Sequence, residues 1–212
     1  HWDLHLNQSV WRPFGDGATR GRNYVGGEMT NWGAHGVDQI QWALGKDGTL
    51  PVRFKPLTAG RNGKVTAWYA DGTEVRFELD KGPKGGAIFV GEKGKLEINR
   101  NKFMSNPIEI RDELMRQVDQ AEEEMKWSDQ TALWQAKWHL QNWIDCIKSR
   151  QRPVADVEIG HRSVAFCHLV NITRWTGREL LFDPMAERFI DADDANAWND
   201  RPRRAGYELP AV

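Results

Sequence analysis

Apolar residues recur at helical spacing in three stretches of the chain, and between the first two they alternate with polar residues instead. The first helical stretch holds Trp32, Val37, Ile40, Ala43 and Leu44 and predicts a helix from about Met29 to Leu44. Gly26 and Gly27 lead into it. Gly45 stands just past its end, where a left-handed backbone is cheap only for glycine. Thr30 or Asn31 could cap its start, because a short polar side chain there accepts a backbone N–H.

The alternating stretch predicts five strands: Val52–Thr58, Lys64–Ala70, Thr73–Asp80, Ala87–Gly91 and Lys95–Asn99. Asp71-Gly72 is a hairpin signal and Glu92-Lys93-Gly94 turns the last pair. Strands joined this closely pair antiparallel, since a parallel pair needs a crossover of a dozen or so residues. Val65, Ala67 and Tyr69 fall on one face, and Thr66 and Trp68 on the other. Val75, Phe77 and Leu79 oppose Glu74, Arg76 and Glu78. The charged run from 105 to 128, with Glu122-Glu123-Glu124, reads as a solvated helix or loop. Helical spacing returns from about Asp129 to Ser149 and again from Ile159 to Thr176, where Gly177 ends it. A short extended piece follows at Glu179–Phe182. The pattern as a whole predicts an α+β fold, with an open, mainly antiparallel sheet and helices packed on one face.

Charge narrows the partners. The 212 residues carry a net charge of −1, which argues against a nucleic acid held by bulk electrostatics. No apolar run approaches the roughly 18 residues of a membrane span. Two cysteines, Cys146 and Cys167, make no disulfide framework. They fit a reducing compartment, and export with removal of a leader stays open. The chain begins with His rather than Met, so we expect a fragment of a longer protein. Of eleven tryptophans, Trp127, Trp134, Trp138 and Trp143 cluster in one segment, where helical spacing favours packing over a sugar-stacking surface.

The candidate chemistry centres on the first helix. Asn31 and His35 are four apart, one turn from each other on one face. Glu28 and Asp38 can share that face. A histidine with a hydrogen-bonding neighbour suits proton transfer to a hydroxyl or carbonyl. The same histidine could instead be buried and satisfied, holding the helix to its sheet. In the irregular segment 1–25, Arg12, Arg20, Arg22 and Tyr24 supply polar tips that could bind a polar ligand or simply meet solvent. His139 and His168 lie in apolar helical stretches and read as packing residues. No set of His, Cys, Asp or Glu has tetrahedral zinc spacing, so no metal is expected.

Gly26-Gly27, Asn31, Trp32-Gly33-Ala34, His35 and Asp38 together resemble the active-site helix of the Gfo/Idh/MocA family (glucose-fructose oxidoreductase, inositol dehydrogenase and rhizopine-catabolism proteins). His1-Trp2-Asp3-Leu4 through Trp11-Arg12-Pro13-Phe14 resembles the segment joining that family's nucleotide domain to its second domain. Gly160-His161-Arg162-Ser163, Asp183-Pro184 and Arg203-Arg204-Ala205-Gly206-Tyr207 resemble the C-terminal end of a subgroup. The resemblance implies residues 1–25 as joining segment and substrate loop, and 26–212 as an α+β C-terminal domain. It places the loop arginines and Tyr24 beside a substrate pocket. It also places the helix of His161 near that pocket, where His161 could bind substrate or cap the helix. It implies a sugar or polyol substrate, NAD or NADP as cofactor, His35 as the acid/base with Asn31 beside it, and homo-oligomers formed through the open sheet face.

Two features depart from the family. No G-x-G-x-x-G follows a strand and opens a helix, and the family's Glu-Lys-Pro lysine is absent. The chain therefore reads as the second domain only, without a Rossmann domain, with the cofactor held mainly elsewhere and this fragment inactive alone. The family's usual aspartate is Asn31 here, which can orient a hydroxyl but cannot take its proton. That leaves room for a non-catalytic carbohydrate-binding or oligomerisation module, or for NAD-dependent glycoside cleavage.

Overall fold

The computed structural model describes residues 27–58, 60, 63–78, 85–99, 102–125, 137–200 and 205–208. The chain divides into two compact units. One holds the residues up to Ala34, Thr49–Lys81 and Val164 onward, and the other holds His35–Gly48 and Gly82–Ser163.

A five-stranded antiparallel sheet organises the first unit. Its strands are β1 (Arg53–Pro56), β2 (Val65–Trp68), β3 (Glu74–Phe77), β7 (Leu180–Asp183) and β8 (Arg188–Phe189), in the order β3-β2-β1-β7-β8. The register sets Phe54 opposite Ala67 and Leu180, and Val65 opposite Phe77. The period-two pattern thus lines up Phe54, Val65, Ala67, Val75, Phe77, Leu180 and Phe182, all buried, on one face. Asp71-Gly72 makes the predicted turn: Gly72 has φ +87°, and Tyr69 and Thr73 close the loop with a 2.9 Å backbone bond.

The long helix α4 (Val157–Thr176) covers that face. Phe166 is its wedge, meeting Phe54, Tyr69 and Phe77 edge-on at centroid distances of 5.9, 6.1 and 5.2 Å. Such pairs add about 0.5–1.5 kcal/mol each beyond the area they bury. The helix starts at Val157, two residues before the expected Ile159, and Asp156 caps it by accepting the Glu158 N–H at 2.9 Å. That bond, with the Arg152 guanidinium beside it, holds the Asp156 carboxyl below its ordinary range.

The opposite sheet face is polar. Arg53 lies over the Trp68 ring at 3.9 Å, and the Trp68 indole N–H donates to Glu74 at 3.0 Å. Arg76 also bonds Glu74 and is the main reason its carboxyl sits below the ordinary range. Arg53 and Lys55 flank Glu179.

The second unit is built on a three-stranded antiparallel sheet: β4 (Ala87–Gly91), β5 (Gly94–Asn99) and β6 (Lys102–Asn106). The α+β class and the antiparallel pairing agree with the sequence pattern, but the strands divide between two sheets. Strand β6 was hidden in the sequence by the charged run that follows it. Gly94, at φ +148°, turns the β4–β5 hairpin, and a side chain there would strike the Asn106 carbonyl. Helix α2 (Ile108–Met125) follows β6. Its Arg111 side chain donates to the Phe103 carbonyl at 3.0 Å, and its backbone N–H donates to the Ser105 hydroxyl at 2.9 Å. Helix α3 (Lys137–Ser149) and the helix of His35, α1 (Trp32–Ala43), complete the long elements; α5 (Asp193–Asn196) is a single turn in the first unit. No described helix is long and apolar enough to cross a membrane.

Candidate functional site

Helix α1 begins later than expected, because a 3-10 turn at Gly27–Thr30 precedes it. The Thr30 hydroxyl donates back to the Gly27 carbonyl at 3.2 Å rather than accepting a helix N–H. The far end closes as anticipated. Gly45 has φ +64°, its N–H donates to the Trp42 carbonyl at 3.1 Å, and the Lys46 N–H reaches Gln41 at 2.7 Å. These are the paired bonds of a glycine-terminated helix. The Gln41 side chain adds a bond to the Lys46 carbonyl at 3.2 Å.

One side of this helix is locked down. Gly36, Val37 and Gln41 are buried. A Cβ on Gly36 would lie 2.7 Å from the Gly86 carbonyl oxygen, so the two backbones approach as only glycine allows. Three residues on, the Gln39 amide donates to the Gly85 carbonyl at 3.2 Å. The helix is thereby held to the segment leading into β4.

The other side is open. His35, Asp38 and Trp42 are all exposed. Spaced three and seven residues from His35, they form one row along the helix. The Asp38 carboxylate accepts the hydroxyl hydrogen of Ser163 at 2.9 Å. Ser163 is buried and lies in the second turn of α4. This bond fixes one carboxylate oxygen and leaves the rest of the group facing out. His35 is thus an exposed side chain, and Gly36 marks the close backbone approach of this helix.

Asn31 is exposed just ahead of the helix, and its carbonyl accepts the Ala34 N–H at 3.3 Å. His161 is exposed and lies two residues before Ser163, roughly half a turn round α4 from the side that meets Asp38. Arg12, Arg20, Arg22 and Tyr24 lie outside the described residues, as does the whole joining segment 1–25. His139 and Trp143 are exposed rather than packed, and His168 keeps an exposed edge although burial of its surroundings lowers its proton affinity. Trp127 and Trp134 lie outside the described residues. Among the described residues no group of His, Cys, Asp and Glu side chains gathers as a metal site.

The described glycines do not suit a dinucleotide. Gly36 and Gly86 serve a backbone approach, and Gly91 and Gly94 serve a hairpin. None opens a helix after a strand, which is the geometry a pyrophosphate needs.

Sequence reasoning missed Ser163 and Gln39, whose partners lie far along the chain. A glycine in the middle of a helix, at Gly36, was the available signal. It costs about 1 kcal/mol against alanine unless something needs the room.

A family model described as "Oxidoreductase family, C-terminal alpha/beta domain", of the Gfo/Idh/MocA group, matches residues 14–209. No curated protein and no solved structure matches the chain.

Proposed function

Because the chain belongs to the Gfo/Idh/MocA oxidoreductase family as its C-terminal alpha/beta domain, we propose that it supplies the substrate-binding and proton-transfer surface of an NAD(P)-dependent enzyme acting on a sugar or polyol. The observation that supports this reading is the exposed row on α1. Its inner side is pinned at Gly36 and Gln39, while His35 faces outward with Asp38 steadied by Ser163.

In alcohol oxidation His35 would take the hydroxyl proton, and in carbonyl reduction it would return one. The Asn31 amide would orient the same hydroxyl without taking its proton. Arg12, Arg20, Arg22, Tyr24 and His161 would bind the remaining hydroxyls or an acid group. NAD(P), which the family generally uses, would serve as hydride acceptor. The described glycines offer no helix-opening turn for its pyrophosphate, and no hydride step is assigned to these side chains. The polar face of the five-stranded sheet, with Arg53, Lys55 and Arg76 interleaved with Glu74 and Glu179, would pair with a second copy.

Asn31 favours a second reading: carbohydrate binding without oxidation, or glycoside cleavage through transient oxidation. The test is an assay of a polypeptide that joins these residues to a nucleotide-binding half, with NAD+ and NADP+ each supplied. Aldoses, inositols and glycosides are screened by the absorbance of the reduced cofactor. Net reduction with a sugar or polyol is the expected result. Glycoside release without net reduction supports the cleavage reading, and saturable sugar binding without either reaction supports the binding module.

A further inference from the structure

The closing residue of the exposed row, Trp42, has no part in the proton transfer just described. It is 76% exposed. Fraying of the helix end does not explain this, because its carbonyl accepts the Gly45 N–H. Nor can the indole turn inward. The buried side of this turn is filled by Val37 and Gln41, and Gln41 is tied to the Lys46 carbonyl. The fold therefore holds a large aromatic face in the open, in line with His35 and Asp38.

Along the helix axis Trp42 stands about 6 Å from Asp38 and about 10 Å from His35. The first of these spans is close to the width of one sugar ring. A pyranose or cyclitol presents hydroxyls at its edge and C–H bonds on its flat faces. The edge suits an outward carboxylate and an imidazole, and the C–H face suits the electron-rich face of an indole.

We infer that Trp42 is the stacking platform for the substrate ring, lying under its C–H face while Asp38 and His35 meet its hydroxyls. This rests on the sugar or polyol reading above, and it adds a binding residue that carries no proton. Stacking of a ring on an exposed aromatic contributes about 1–3 kcal/mol in other ligands.

Fluorine NMR of the protein grown with fluorotryptophan tests it. Trp42→Phe identifies the Trp42 signal among the eleven tryptophans. myo-Inositol, methyl α-D-glucopyranoside and NAD+ are titrated separately. The expected result is a saturable shift of the Trp42 signal with one of the two sugars. Trp42→Ala should weaken that binding about tenfold or more, whereas Trp42→Phe should stay within a few-fold of wild type. An unmoved Trp42 signal, equal affinity in Trp42→Ala, or a response to NAD+ alone overturns the inference. Turnover of the wild-type sequence joined to its nucleotide-binding half keeps the two readings apart. Sugar binding that shifts Trp42 while that cofactor-competent protein shows no turnover upholds the platform and defeats the oxidoreductase reading. Turnover that survives with no change at Trp42 does the reverse.

Discussion

The two units differ in where they put their apolar residues. The first, around the five-stranded sheet, buries Phe54, Val65, Ala67, Phe77, Phe166, Val170, Leu180 and Phe182 in one continuous core. Among the described residues of the second, only Val37 and Ala87 are buried hydrophobics. Trp42, Ile88, Val90, Leu140, Trp143, Ile144 and Ile147 are exposed there. Yet the second unit carries His35, Asp38 and His161. A finished core gives stability, and an open apolar surface with polar groups set in it is what a binding face requires. On the proposed reading, the stabilising core lies in the first unit while His35 and Asp38 lie in the second.

The contrast can be broken at graded cost to stability. The largest effect is expected at Phe166→Ala, which removes the ring that joins α4 to β1, β3 and the end of β2. A loss of about 3–5 kcal/mol should appear in denaturant unfolding. If the loss is under about 1 kcal/mol, the first unit is not the stabilising core.

Gly36→Ala should cost less, about 1–3 kcal/mol, because the added methyl meets the Gly86 carbonyl. It should also lower sugar turnover by displacing the neighbouring His35. A full-activity variant of normal stability would show that the helix is not pinned there.

Next is pH. Burial pushes the Cys167 thiol up to about 12 from an ordinary 9.0. A raised folded-state value means that the native protein holds a proton the unfolded chain gives up. The contribution is therefore complete below about pH 9 and is lost as pH rises toward 12. Against Cys167→Ala, wild-type stability should fall more steeply across that window, by up to about 1.4 kcal/mol per pH unit. At pH 8 a thiol reagent should modify the partly exposed Cys146 and leave Cys167 intact until the protein unfolds. Parallel stability curves, or equal reaction of both thiols, would contradict this.

Smaller still is Arg76→Ala on the exposed sheet face. It should change stability by no more than about 0.5 kcal/mol, since solvent-exposed ion pairs contribute little.

What the sequence made legible follows from the range of the forces involved. Alternation in β1 to β3 and the glycine stops at Gly45 and Gly177 are local signals, and all appear in the fold. The proximity of His35 and Asp38 on one helix was legible for the same reason. The bond from Ser163 to Asp38 spans 125 positions, and the Gly36–Gly86 approach spans fifty. No pattern within a window of a few turns reports either. The division into two sheets was likewise hidden, because each strand shows its own face but not its neighbours. Trp143 misled for a related reason: helical spacing shows that a face is apolar, not that anything covers it.

The most direct measurement is the turnover of His35→Ala in the cofactor-competent enzyme, taken beside its unfolding free energy. His35 is exposed, so stability should stay within about 0.5 kcal/mol of wild type. Loss of a general acid/base should lower kcat by about 10²–10⁴-fold. That pair of results would place proton transfer on the open face of α1. Unchanged kcat, or a loss of turnover matched by a loss of stability, would contradict the account.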